Sequence, residues 1–373
     1  MSDEFRLERN DLNRLIDDLK TCGFAIIAPT LKDDAIIYDE IESVENLPIG
    51  WTAKQQAGKY KIEKRDDEAL FGFNLAANSW KRFLHPPEHK LFSATKTANG
   101  FEIDEDNKDT PKYALLGVKP CELEAIKIQD KVFLDGKYID QEYYSRRKKS
   151  LIITVNCGQA ESTCFCTSMG GSPESKSGYD ILLTEIINKK EHYFIVNSGS
   201  DAGRDIIDKL SCKEATNIEL DMASESIGKA EKQMQSYIVE MSDAKELLLR
   251  NYDNEQWDKI ADKCLTCGNC TMACPTCFCT TIEDINDLTG DHTERWQKWD
   301  SCFTMDFSYI HGGDVRSSAK SRYRQWMTHK LSTWHDQFNS SGCVGCGNCI
   351  TWCPVEIDIR EEVQAIRESE KNE

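Results

Sequence analysis

The chain has no GxGxxG turn and no GxxxxGK(S/T) loop, so neither common backbone cradle for nucleotide phosphates is present. It also lacks any apolar stretch near the roughly 18 to 20 residues needed to span a bilayer. Its opening, Met1-Ser2-Asp3-Glu4-Phe5-Arg6, has neither the basic nor the apolar region of a secretory signal. Basic charge is short as well: 46 Lys and Arg face 64 Asp and Glu, a net charge of −18 spread along the chain. That balance argues against nucleic acid, whose binders carry basic stripes. The one basic stretch, Arg316, Lys320, Arg322 and Arg324 with Tyr323 and Trp326 interleaved, reads as a solvated helix face or a docking patch for an acidic partner. Histidine is scattered. His85 and His89 would have metal spacing on a helix, but Pro86-Pro87 between them breaks one. Nothing resembles a catalytic triad or a cysteine activated by a base. The absences together predict a cytoplasmic chain in a reducing compartment, with thiols free for metal.

Cysteine is what the chain has in excess: 17 in 373 residues, an odd number that rules out complete internal pairing. Eight of them form two copies of one pattern. These are Cys264-x2-Cys267-x2-Cys270-x3-Cys274-Pro275 and Cys343-x2-Cys346-x2-Cys349-x3-Cys353-Pro354. In such a run three close thiolates hold one [4Fe–4S] cubane, and the cysteine before the proline ligates the other. The spacing therefore assigns Cys264, Cys267, Cys270 and Cys353 to one cluster, and Cys343, Cys346, Cys349 and Cys274 to a second. Zinc knuckles use thiolates at two-plus-two spacing and do not repeat a three-plus-one run ending in proline.

A shorter repeat links two other places: Thr163-Cys164-Phe165-Cys166-Thr167 and Thr276-Cys277-Phe278-Cys279-Thr280. Cys-x-Cys in an extended loop sets both thiols on one side. Cys157 follows a strand-like run, Leu151 to Asn156, and Cys121 opens a helix after another, Tyr113 to Val118. If those strands are neighbours, their ends bring Cys121, Cys157, Cys164 and Cys166 together as a third [4Fe–4S] site. The competing reading is that these are small buried apolar residues. Cys277, Cys279 and Cys302 could hold a further group or shield a neighbouring cluster. Cys22 and Cys212 read as structural. Trp296, Trp299, Trp326, Trp334 and Trp352 read as packing around the clusters.

The fold class expected is α+β. A mixed α/β domain over 1–235 precedes an all-helical, ferredoxin-like dicluster domain over 236–373. Helical periodicity in Leu7–Leu19 is followed by short apolar runs, Ala25–Ala28 and Ala35–Tyr38, and Tyr193–Val196 is a further strand candidate. Thr95–Pro111 reads as a loop. Residues 225–262 and Ser318–Trp334 read as helical, so the long gap between the runs is expected to be a helical insertion.

On these residues the chain resembles the iron–sulfur β subunit of sulfhydrogenase-type, NAD(P)-linked [NiFe] hydrogenases. In outline it is equally similar to the A subunit of anaerobic sulfite reductase. The segments that carry the likeness are Gly117-Val118 with Cys121, Tyr143-Tyr144 through Arg146-Arg147 to Cys157, and Cys164-Phe165-Cys166. The later ones are Cys264 through Cys279, Trp299-Asp300-Ser301-Cys302, Gly312-Gly313, and Cys343 through Pro354. The resemblance implies an electron-transfer subunit between a flavin-bearing, NAD(P)-binding subunit and the catalytic subunits of a hydrogenase, or a siroheme sulfite reductase subunit. It also implies that Cys121, Cys157, Cys164 and Cys166 are cluster ligands, and that the chain turns over no substrate alone. The many carboxylates predict low-potential clusters. A self-sufficient flavin oxidoreductase is disfavoured by the missing nucleotide motif, and a DNA-linked redox sensor by the missing basic reading helix.

Overall fold

The computed structural model describes residues 4–104 and 110–371. Its larger sheet has eight strands. From one edge to the other they are Lys213–Glu214, Glu4–Glu8, His192–Ser198, Ile181–Ile187, Leu151–Val155, Tyr113–Val118, Ala25–Lys32 and Ala35–Glu40. The middle is parallel: Leu151–Val155 runs with both its neighbours, and Tyr113–Val118 also runs with Ala25–Lys32. The outer pairings are antiparallel. Leu-Ile-Ile-Thr-Val is buried at every position, as a parallel strand covered on both faces requires. The helix Leu12–Thr21 buries Leu12, Leu15, Ile16 and Leu19, an i, i+3, i+4, i+7 stripe laid against the sheet.

The helix Pro120–Leu134 starts directly after the strand Tyr113–Val118, with Pro120 in its first turn where no N–H is needed. It and the helix Gln141–Lys149 form the crossover to the parallel strand Leu151–Val155. The C-terminal ends of these two strands therefore lie side by side at one edge of the sheet, which is where open α/β sheets place their ligands.

A second, four-stranded antiparallel sheet joins distant parts of the chain. Its order is Thr280–Asn286, His292–Trp299, Glu88–Thr97, Gly100–Asp104. Two expectations are corrected here. The C-terminal part is not all-helical, because the gap between the cysteine runs contains the Thr280–Asn286/His292–Trp299 hairpin. The stretch Thr95–Pro111 is not a simple loop, since Glu88–Thr97 and Gly100–Asp104 are strands; residues 105–109 lie outside the described residues. The hairpin was hard to read because it has no apolar face. Ile282 and Ile285 are exposed, and cross-strand pairs such as Arg295–Asp284 (2.7 Å) and Lys298–Glu283 (2.7 Å) help hold it. Its turn is set by Asp287, which accepts from Asp291 N and Thr289 Oγ1, and by Gly290 at φ +73°.

The helices Ala244–Arg250, Gln256–Lys263, Ala319–Thr328 and Ile359–Lys371 surround a separate core that includes Leu247, Trp257, Ile260, Phe303, Trp326 and Ile366. Helix Ala319–Thr328 continues through a π-helical turn, His329–Thr333, into Trp334–Phe338. Among the described residues no helix is long and apolar enough to cross a membrane.

Candidate metal centre

Both cysteine runs fold alike. After Cys264, Thr266 and Gly268 take positive φ (+51° and +76°); after Cys343, Gly345 and Gly347 do the same (+66° and +82°). Each pair of left-handed residues curls the backbone inward ahead of a single helical turn, Asn269–Met272 or Asn348–Thr351. The curl turns an N–H onto the first sulfur: Thr266 N donates to Cys264 Sγ and Gly345 N to Cys343 Sγ, both at 3.4 Å. The turns pack reciprocally. Asn269 Nδ2 donates to Trp352 O and Asn348 Nδ2 to Ala273 O, each at 3.3 Å, at equivalent positions of the two runs.

That packing brings each fourth cysteine toward the other run. Cys353 lies among the thiols of the first run, where Cys264 and Cys270 feel its charge. Cys264, Cys267, Cys270 and Cys353 line one cavity together with Cys349 of the second run, and Phe303, Tyr323, Trp326 and Ile357 wall it. Cys274 lies among those of the second run and acts on Cys343, Cys346 and Cys349. Cys121 opens the helix after the strand Tyr113–Val118, Cys157 follows the adjacent strand Leu151–Val155, and Cys121 and Cys166 line one groove. Cys121 feels Cys346, Cys166 and Cys157, and Cys166 feels Cys157 and Cys164. The second and third groups abut directly. Phe165 N donates to Gly345 O at 2.9 Å, and a Cβ on Gly347 would stand 2.3 Å from Thr163 O.

These thiols suit iron–sulfur clusters. Burial pushes Cys270, Cys346 and Cys349 well up, Cys343 to about 11 and Cys164 to about 12. Such groups are costly as bare thiolates, and bound metal is what ionises them. Backbone donors to sulfur are already in place at Cys264, Cys343 and Cys353, the last from Ile357 N at 3.3 Å. Among the described residues no three His, Cys, Asp or Glu side chains close on a single-ion geometry.

Residues 263–357 match the family described as a 4Fe-4S dicluster domain. Sulfhydrogenase 2 subunit beta of Pyrococcus furiosus is 30% identical over 319 residues, which cover 83% of this chain and 89% of that protein. The chain belongs to the sulfhydrogenase β-subunit family. It is an iron–sulfur electron-transfer subunit with a 4Fe-4S dicluster domain. No solved structure matches it.

Around the dicluster domain, this β subunit places groups that no motif announces. Lys330 is 2% exposed and Lys81 is 4% exposed, and both face the Cys274–Cys279 segment. Burial alone would discharge Lys330, but the sulfurs of Cys274, Cys277 and Cys343 outweigh it and hold its pKa above the ordinary lysine value. Lys81 donates to Cys277 O at 3.2 Å and lies 3.9 Å over the Trp299 ring. The thiols of Cys279 and Cys302 act on one another, as do those of Cys274 and Cys277. Glu122, next to Cys121, is buried; burial pushes its carboxyl to about 7 against hydrogen bonds from Tyr38 Oη (2.6 Å), Lys119 N and Trp80 Nε1. A lysine or glutamate carries no sequence mark of burial. The only available signal was the position of Glu122 in a helix's first turn. His85 ends the short helix Lys81–Leu84 while His89 sits in a strand, so the two share no helix face. Cys22 is exposed and Cys212 is half-buried, its thiol pushed up to about 11 by burial.

Proposed function

We propose that this β subunit relays electrons in the cytoplasm between a flavin-bearing, NAD(P)-binding subunit and the catalytic subunits of a [NiFe] hydrogenase, without turning over substrate alone. Three [4Fe–4S] clusters are assigned. Cys264, Cys267, Cys270 and Cys353 hold the first, Cys343, Cys346, Cys349 and Cys274 the second, and Cys121, Cys157, Cys164 and Cys166 the third. When bound, a [4Fe–4S] cluster supplies reversible one-electron exchange.

The observation that carries the reading is that the three thiol groups lie close enough to act on one another. Cys274 acts on Cys270, Cys270 on Cys349, and Cys346 on Cys121, with the Cys164–Cys166 loop bonded to the second run through Phe165 N and Gly345 O. The two ends of the succession open differently. Cys267 is exposed beside Leu265 (61% exposed) and Met272, while Cys121 and Cys166 line a groove with Cys343, Lys127 and Met169. Each opening suits exchange with a different partner. The segments 1–235 and 236–373 are proposed as the two structural units, stitched together by the four-stranded sheet. The test is anaerobic purification with partners from the native source. Nickel and a flavoprotein at constant ratio, with about twelve irons per β subunit, support the reading. Siroheme in place of nickel, or a β subunit that binds flavin itself, overturns it.

A further inference from the structure

Lys330 is held in an arrangement that points to a role at the second cluster, on the ligand reading just given. An ammonium has three N–H donors. Three acceptors surround this one: Cys274 Sγ at 3.3 Å, Thr276 Oγ1 at 3.0 Å and Gly342 O at 3.2 Å. Among the described residues no carboxylate pairs with it, so its nearest anionic partner is the sulfur of Cys274. The Thr276 hydroxyl has two acceptors in reach, Gly342 O at 2.6 Å and Cys274 Sγ at 3.1 Å. Lys330 serves Gly342 O whichever it takes. The backbone is fastened too, since Gly342 N donates to Lys330 O at 2.8 Å. Lys330 reaches this point from the π-helical turn His329–Thr333, a local break in α-helical geometry of the kind found at functional sites.

The other half of the domain lacks this device. Val355 occupies the position that Thr276 holds after the first run, and Cys353 Sγ accepts from a backbone group, Ile357 N at 3.3 Å. Arg322 is a buried cation that acts on Cys264, but among the described residues it makes no hydrogen bond to a sulfur. Reduction adds one negative charge to a cluster. A fixed positive charge bonded to a ligand sulfur, out of water, stabilises that added charge, and hydrogen bonds to sulfur act in the same direction.

We propose that Lys330, assisted by Thr276, is a tuning residue that raises the reduction potential of the centre ligated by Cys274 above that of the centre ligated by Cys353. The two halves of the dicluster domain are then unequal steps, and the inner one is the better electron acceptor.

The experiment is an EPR-monitored redox titration of the anaerobically purified full chain, with Lys330→Met, Lys330→Arg and Thr276→Val beside the wild type. A Cys274→Ser variant identifies the relevant centre by its altered spectrum. Lys330→Met should shift that centre's one-electron equilibrium at least tenfold toward the oxidised form, about 59 mV, and leave the others in place. Lys330→Arg should keep most of the wild-type value, and Thr276→Val should move the same centre by about threefold, since it removes the weaker of the two contributions. Full iron content in Lys330→Met with no centre shifted overturns the inference, as does a shift confined to the centre altered by Cys353→Ser. If Lys330→Met loses iron, Thr276→Val decides, and an unmoved centre there overturns it. A wild-type chain with no [4Fe–4S] signal overturns the relay reading itself, whereas present signals with unmoved potentials overturn this inference alone.

Discussion

The two cysteine runs share a backbone but not an environment. The first faces outward: Cys267 and Leu265 are exposed, and a Cβ on Gly268 would meet the Ser301 hydroxyl at 3.1 Å. The second is enclosed by the N-terminal half. Gly58 N donates to Ile350 O at 3.1 Å, Thr351 Oγ1 to Thr163 Oγ1 at 3.3 Å, and Gly345 and Gly347 lie hard against the loop of Cys164 and Cys166. Two similar peptides thus have different surroundings. On the proposed reading, one offers a sulfur-lined site to a partner and the other couples that site to the sheet.

The largest test of this comparison is the exchange of fourth cysteines. Cys353→Ser should remove the same EPR centre as Cys264→Ser, and Cys274→Ser the same centre as Cys343→Ser, each with a loss of up to about four irons. Cys353→Ser acting on the centre of its own run would break the crossed assignment. Next in size is packing. Gly347→Ala requires a left-handed alanine and a displaced Thr163 carbonyl, and should cost about 2–4 kcal/mol in denaturant unfolding. Gly268→Ala meets only a side-chain hydroxyl and should cost about 1 kcal/mol. Equal losses would mean that the second run is no more enclosed than the first.

The smallest expected effect concerns the hairpin that follows the first run and has no equivalent after the second. Trp299 Nε1 donates to His85 O at 3.2 Å, and the His85 ring packs against Phe133. Burial pushes the His85 imidazole down to about 3, with Lys81 adding to the shift. Its folded value lies below the unfolded one near 6.5, so the unfolded chain binds more protons between them. The stability this neutral ring contributes is complete above about pH 6.5 and is lost as pH falls toward 3. The loss approaches about 1.4 kcal/mol per pH unit below 6 for this one group. Thermal unfolding between pH 7.5 and 5.5 should therefore be less pH-dependent in His85→Phe than in wild type. An unchanged dependence would remove His85 from the account.

Much of the metal chemistry was legible because thiolate ligation needs fixed residue types at fixed spacing. The two runs announced themselves, and the strand–helix pattern around Tyr113–Val118 and Leu151–Val155 was strong enough to suggest the parallel pairing of the strands that Cys121 and Cys157 follow. The hairpin at Thr280–Trp299 was not legible. Its stability comes from cross-strand ion pairs and from docking on Glu88–Thr97, a partner far away in sequence, and its isoleucines, Ile282 and Ile285, point to solvent. Lys81 and Lys330 were invisible for a similar reason: nothing local to a lysine tells that folding will bury it against sulfur. The sequence-level view that carboxylates dominate the potentials also lacked these two buried cations.

The central claim is a continuous line of three cluster sites, and iron analysis with Mössbauer spectroscopy of the anaerobically purified chain tests it most directly. The account predicts about twelve irons per chain, all in [4Fe–4S] form, falling to about eight in Cys157→Ser. About eight in the wild type, unchanged by Cys157→Ser, would contradict it.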